Sequence, residues 1–209
     1  MKHILITLTI FFILLSCKAQ TLPLYNPPNG FNINNAYYKD LDGDLTKLVG
    51  TWKYTNGNEV FQIILKIQEY VPYNSSVLNI SNHEDELYGE YQYIDSNGNE
   101  VINTLNNIDN NIDVYDHLIN GAYIKGKNYF PPCNDCTVNE RRVSVTIEDP
   151  LRFYFDYELE IRHIPPDPLN NTPEQIKVIV RNNTHFVTIP TGQPNTHRLP
   201  FGEFILIKQ

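Results

Sequence analysis

Cys133 and Cys136, in Pro131-Pro132-Cys133-Asn134-Asp135-Cys136, are the side chains whose type and spacing offer the most chemistry: a disulfide, a redox pair or half of a zinc site. Zinc wants four ligands, yet no second Cys-x-x-Cys occurs, and His117, His163, His185 and His197 lie far off without metal-type spacing. A thioredoxin-like pair follows a strand and opens a helix, whereas these flanks read as loop and strand. The simplest reading is a structural disulfide between Cys133 and Cys136, with free thiols or a redox role as the alternatives. Asp156, Glu158 and Glu160 alternate on one face of a probable strand. Residues two apart on a strand stand about 6 to 7 Å apart, close to the roughly 5 Å of a retaining glycosidase's carboxyl pair. The opposite face carries Phe155, Tyr157, Leu159 and Ile161, so the acids read more simply as the solvated outer wall of a sheet. Asp40, Asp42 and Asp44 suggest calcium, but Leu45 and Thr51 stand where a calcium loop needs Gly and Glu. The four histidines, in or beside loops, could converge at one end of a fold, and Tyr88, Tyr91 and Tyr93 could line a ligand site or simply pack. No serine elbow, His-Glu-x-x-His, phosphate loop or Rossmann glycine pattern occurs. The chain therefore reads as non-enzymatic, with no catalytic residue, no metal and no cofactor assigned.

A different kind of chemistry attaches to Cys17. Lys2, an apolar run from Ile4 to Leu15 and then Ser16-Cys17 are the parts of a bacterial lipoprotein signal, with residues 1–16 removed and Cys17 acylated. The apolar run is well short of the roughly 20 residues a membrane-spanning helix needs. Several acyl chains on Cys17 would hold the protein stably at a membrane surface. The expected location is the cell envelope, as an outer-membrane lipoprotein. Lys18-Ala19-Gln20 has no acidic run of the kind associated with surface export, which favours the periplasmic face.

The mature chain would keep 15 Lys and Arg against 24 Asp and Glu, a formal charge of −9. Such a balance argues against nucleic acid as a partner. With 14 Tyr and 10 Phe but one Trp and one Met, the vocabulary favours strands. Residues 17–36, rich in Pro, Asn and Gly, read as a lipidated tether, and residues 37–209 as a single domain.

Within that domain a short helical turn precedes Gly50. Strands are expected at Thr51–Thr55 and Glu59–Tyr70, joined by Asn56-Gly57, and at Leu87–Ile94 and Glu100–Leu105, joined by Ser96-Asn97-Gly98-Asn99. Further strands are expected at Val77–Ser81, Leu118–Lys125, Val143–Ile147, Phe153–Arg162, Gln175–Arg181 and Phe204–Lys208. Asn106–Asp116 and Ile164–Pro173 read as loops at strand ends, where a ligand would be met. The expected fold is all-β, an antiparallel barrel of about 8 to 10 strands, because closure removes the open edges of so large a sheet.

Gly50-Thr51-Trp52 after the helical turn resembles the Gly-x-Trp start of lipocalin-like barrels, whose Trp plugs the closed end beneath a cavity. Leu-Ser-Cys-Lys-Ala-Gln at 15–20, Tyr37, Lys39 and Asp40, Gly-Thr-Trp-Lys-Tyr at 50–54, Asn103-Thr104-Leu105 and Ile-Leu-Ile-Lys-Gln at 205–209 together resemble secreted lipoproteins of Flavobacteria and related Bacteroidota. That family carries a domain of unknown function, so the resemblance implies a host group and an export route but no site. Two functions follow as expectations. One is a lipocalin-like barrel binding a small apolar or amphipathic ligand in its interior. The other is a filled barrel whose loops meet an envelope protein.

Overall fold

The computed structural model describes residues 20–183 and 188–209. Eleven strands follow in chain order: β1 (Thr21–Pro23), β2 (Tyr37–Lys39), β3 (Gly50–Asn56), β4 (Glu59–Ser75), β5 (Ile80–Ile94), β6 (Glu100–Asn103), β7 (Ile119–Gly126), β8 (Arg141–Ile147), β9 (Tyr157–Ile164), β10 (Gln175–Asn182) and β11 (Gly202–Lys208). Helical structure among the described residues is limited to 3-10 turns at Thr46–Leu48, Leu105–Asn107 and Val114–Asp116. The fold is all-β, as composition and alternation predict.

All the strands join one sheet, which closes on itself as a ring of eight in the order β5-β4-β3-β11-β10-β9-β8-β7 and back to β5. Every pairing in the ring is antiparallel. The outer edge of β5 is shared: β2 pairs in parallel at His83 and Glu84, β7 at Leu87–Gly89, and β6 at Gln92–Ile94. β1 adds to β2, also in parallel, a departure from the wholly antiparallel expectation.

The turns explain most boundaries. β3 and β4 turn on Gly57 and Asn58, one position later than Asn56-Gly57, with Gly57 at the positive φ of 60° that glycine adopts without strain. The β5–β6 connection is held by the Asp95 carboxylate, which accepts from the Asn97 and Asn99 amides at 2.9 Å. The segment at Val77 is no strand; the β4–β5 hairpin runs on to Ser75 and Ile80 and turns there. Phe153–Asp156 is likewise a turn, because Asp149-Pro150 starts a bend and the Asp149 carboxylate accepts the Leu151 amide at 2.9 Å.

The middle of the ring is apolar and closely filled. Trp52, Phe61, Ile63, Leu65, Leu87, Tyr91, Ile119, Leu159, Ile176, Val178 and Leu206 present no accessible surface, to bulk water or to an internal space that admits a water molecule. Trp52 donates its indole N–H to the Leu48 carbonyl at 2.7 Å, which ties β3 to the 3-10 turn before it. That turn is fixed by Asp40, whose carboxylate accepts the Asp44 amide at 2.8 Å and the Leu45 amide at 2.9 Å.

Residues 21–36 are not a loose tether. Leu22, Leu24 and Ala36 are buried in the core, and Phe31 and Ile33 pack against it, so the apolar residues scattered through this Pro- and Asn-rich stretch bind it to the domain. The Asn106–Asp116 excursion is no free loop either: the Val114–Asp116 turn and His117 lie over the outer face of β5 and bury Glu86 and Glu90.

Candidate functional site

A groove of about 810 Å³ opens beside the ring, between Leu24–Phe31 on one wall and β7 with the β7–β8 connection on the other. Its origin is the shared edge of β5. β7 leaves β5 below Leu87 and shifts register between Asn120 and Tyr123, while β2 takes over the edge at His83 and Glu84. The two diverging segments leave a wedge between them. Gly126 lets the walls approach at one point, since a Cβ there would lie 2.8 Å from the Tyr25 hydroxyl.

The groove presents aromatic faces and neutral polar groups. Tyr123 and Tyr129, 45% and 49% exposed, meet edge to face with ring centres 5.3 Å apart. Burial and the contact with Tyr129 push the Tyr123 hydroxyl up to about 12, so it stays a neutral donor and acceptor. The charges nearby are already engaged. Arg141 lies 4.1 Å over the Tyr25 ring and donates to Asp42 and Asp44, both at 2.6 Å. Glu140 accepts the Thr137 amide at 2.9 Å, and Lys127 donates to the Cys136 carbonyl at 2.6 Å. Three amide side chains along the groove, those of Asn26, Asn128 and Asn139, have no side-chain hydrogen bond among the described residues.

The Cys133–Cys136 pair is disulfide-bonded with Cα atoms 5.4 Å apart, and both residues are buried. Its loop is clamped to the outer face of β8–β10. Arg142 donates to the carbonyls of Gly126, Tyr129 and Pro131 and to Glu160, and Arg162 donates to Asp135 at 2.9 Å. A cleft of about 210 Å³ remains beneath the loop, but Lys177, Arg181 and Glu203 on its walls are all in ion pairs. Glu158 and Glu160 are thus not a solvated wall: Glu160 is buried beneath the loop, and Glu158 accepts from Lys125 and Ser144. Burial pushes Glu158 up, but hydrogen bonds from Lys125 and Ser144 prevail and hold it below the usual carboxylate range.

His117, His163 and His197 do not converge. His117 contacts Glu90 through Nδ1 at 2.9 Å under the excursion, His163 contacts Glu174 at 2.9 Å, and His197 contacts the Tyr157 hydroxyl at 2.8 Å. His185 lies outside the described residues, as does Cys17. Asp40, Asp42 and Asp44 serve as turn cap and as partners of Arg141. Tyr91 is core, its hydroxyl donating to the Glu148 carbonyl at 2.7 Å, and Tyr88 packs on His117. Sequence reasoning missed Tyr25, Tyr123 and Tyr129, which only the divergence of β7 from β2 brings together.

A family model matches residues 1–209, the whole chain. The chain belongs to the family of unknown function DUF6705. No curated protein and no solved structure matches it. Membership in DUF6705 brings no catalytic or binding residue with it, so the groove stands on its own geometry.

Proposed function

We propose that this protein is a lipid-anchored, non-catalytic recognition domain of the cell envelope. In this reading its lipocalin-like barrel is a filled scaffold, and the groove between Leu24–Phe31 and the β7–β8 connection receives a neutral, hydroxyl-rich chain such as an envelope glycan. One observation carries the reading: eleven side chains through the middle of the ring have no accessible surface, whereas the groove offers about 810 Å³, within the range of ligand sites. That favours recognition outside the ring over carriage within it.

The ligand class follows from the lining. Tyrosine rings offer apolar faces with a hydroxyl at the edge, suited to the C–H face of a sugar ring. The free amides of Asn26, Asn128 and Asn139 offer donor and acceptor together, matching adjacent hydroxyls. Because Arg141, Glu140 and Lys127 already have partners, a charged ligand gains little there. The anchor rests on Cys17 and the apolar run before it, and the outer membrane's periplasmic face remains the favoured location.

Calorimetric titration with neutral and N-acetylated oligosaccharides tests the assignment. Binding should weaken about tenfold for Tyr129→Ala, a loss of roughly 1.4 kcal/mol, with the fold unchanged. Binding unaffected by Tyr123→Ala and Tyr129→Ala together would contradict it, as would a lipid bound inside the ring.

A further inference from the structure

Strand direction places three features at one end of the ring. β4 and β9 run toward that end, and β5 and β10 return from it. The β4–β5 turn presents Val77 and Leu78, 92% and 61% exposed. The β9–β10 connection, closed by a bridge between Asp167 and Thr172, presents Leu169 at 96% exposure. These two hairpins stand opposite one another in the ring, with β3 and β11 between them on one side and β7 and β8 on the other.

The third feature is the start of β1. Because β1 and β2 are parallel to β5, with Thr21 beside Tyr37 and Tyr37 beside His83, the Thr21 end of β1 is the end on the side of the β4–β5 turn. Cys17 is four residues before Thr21, a reach of at most about 14 Å, and Leu78 is five residues before His83, about 17 Å along the strand. A tether of that length would let acyl chains on Cys17 meet the surface that the apolar tip meets.

We propose that this end of the ring seats on a lipid bilayer, with Val77, Leu78 and Leu169 entering the boundary between headgroups and acyl chains. The inference rests on the reading of Cys17 as the lipid anchor. The turns themselves favour such a surface. Ser75, Ser76 and Asn79 around the first tip are polar but uncharged; Pro168, Asn170 and Asn171 surround the second, where the Asp167 carboxylate is engaged by the Leu169 and Asn170 amides. The chain as a whole is acidic, at −8, so a zwitterionic bilayer suits it better than an anionic one. Two opposed contacts beside a lipid anchor would also fix the ring's tilt, where an anchor alone leaves the domain free to swing.

Full-length protein purified from membranes, carrying Leu78→Trp, Leu169→Trp or Leu151→Trp, tests this on phosphatidylcholine vesicles with and without brominated acyl chains. Leu151 is exposed in the β8–β9 connection at the opposite end, and the buried Trp52 contributes the same background to all three. Trp at 78 and 169 should shift to shorter wavelength and lose emission to bromine, entering about 5 to 10 Å, while Trp at 151 should not. Equal behaviour at 78 and 151 would overturn the docking end. The mass of the same protein reads the anchor separately. An acylated Cys17 with no quenching at 78 removes the docking end alone, and an unmodified Cys17 with quenching at 78 removes the anchor alone.

Discussion

Glu86 shows how burial sets the behaviour of a single residue. It lies under the Val114–Asp116 turn, accepts the Tyr115 hydroxyl at 3.0 Å, and is pushed by burial from 4.5 up to about 8. Glu84, on the same face of β5, is pushed up to about 7 for the same reason. A carboxyl raised in the folded state holds a proton that the unfolded chain releases. Its stabilising contribution is therefore complete below about pH 4.5 and is lost as pH rises toward 8. Urea unfolding should show stability falling between pH 5 and 8, by at most about 1.4 kcal/mol per pH unit from Glu86, and Glu86→Gln should flatten the slope. A slope unchanged in Glu86→Gln would remove this account of the buried face. A strand at Leu87–Ile94 was legible, but not that it starts at Ile80 or that a distant Asn- and Asp-rich excursion covers its outer face. Nor could spacing single out Tyr123 and Tyr129 among 14 tyrosines, because their exposure depends on where β7 leaves β5.

At the scale of elements, local signals placed the β3–β4 and β5–β6 hairpins, but not the β4–β5 hairpin, whose turn falls where a separate strand at Val77–Ser81 is expected. Asp95, Gly98 and Asn99 make a turn through their own chemistry, and the alternation in β8 and β9 fixes which face is inward. The signals failed where tertiary contacts decide, as in residues 21–36, whose Leu22 and Leu24 find the core despite a loop-like composition. Gly89 marks another close approach: a Cβ there would collide with the Ile64 carbonyl of the neighbouring strand. Gly89→Ala should therefore cost about 1 to 3 kcal/mol in chemical denaturation by forcing β4 and β5 apart. Arg142 is the clamp of the disulfide loop, and its guanidinium is buried against Glu160 and three carbonyls. Arg142→Leu takes one partner from that carboxylate, which keeps Arg181, and strips a donor from three carbonyls; it should cost about 1 to 3 kcal/mol, with faster amide exchange over residues 126–137. Unchanged exchange there would show that Arg142 is not what holds the loop.

For the whole molecule, the closed ring solves the edge problem posed by so many strands, and its filling decides what the ring can do. Leu65→Ala, deep in the interior, should cost about 2 to 5 kcal/mol because close-packed neighbours cannot collapse into the space. A hollow carrier would lose much less, since its lining already faces open volume. The ring was legible from strand number and hairpin order; whether it was hollow was not, because eight strands lie at the boundary between filled and hollow. In the function proposed above, the ring is scaffold and the groove is site. Hydrogen–deuterium exchange of the whole protein, with and without the tightest-binding oligosaccharide, separates the two. Protection confined to residues 24–31 and 123–141 is the predicted result, and protection of β3, β4 and β11 with the groove unchanged would contradict it.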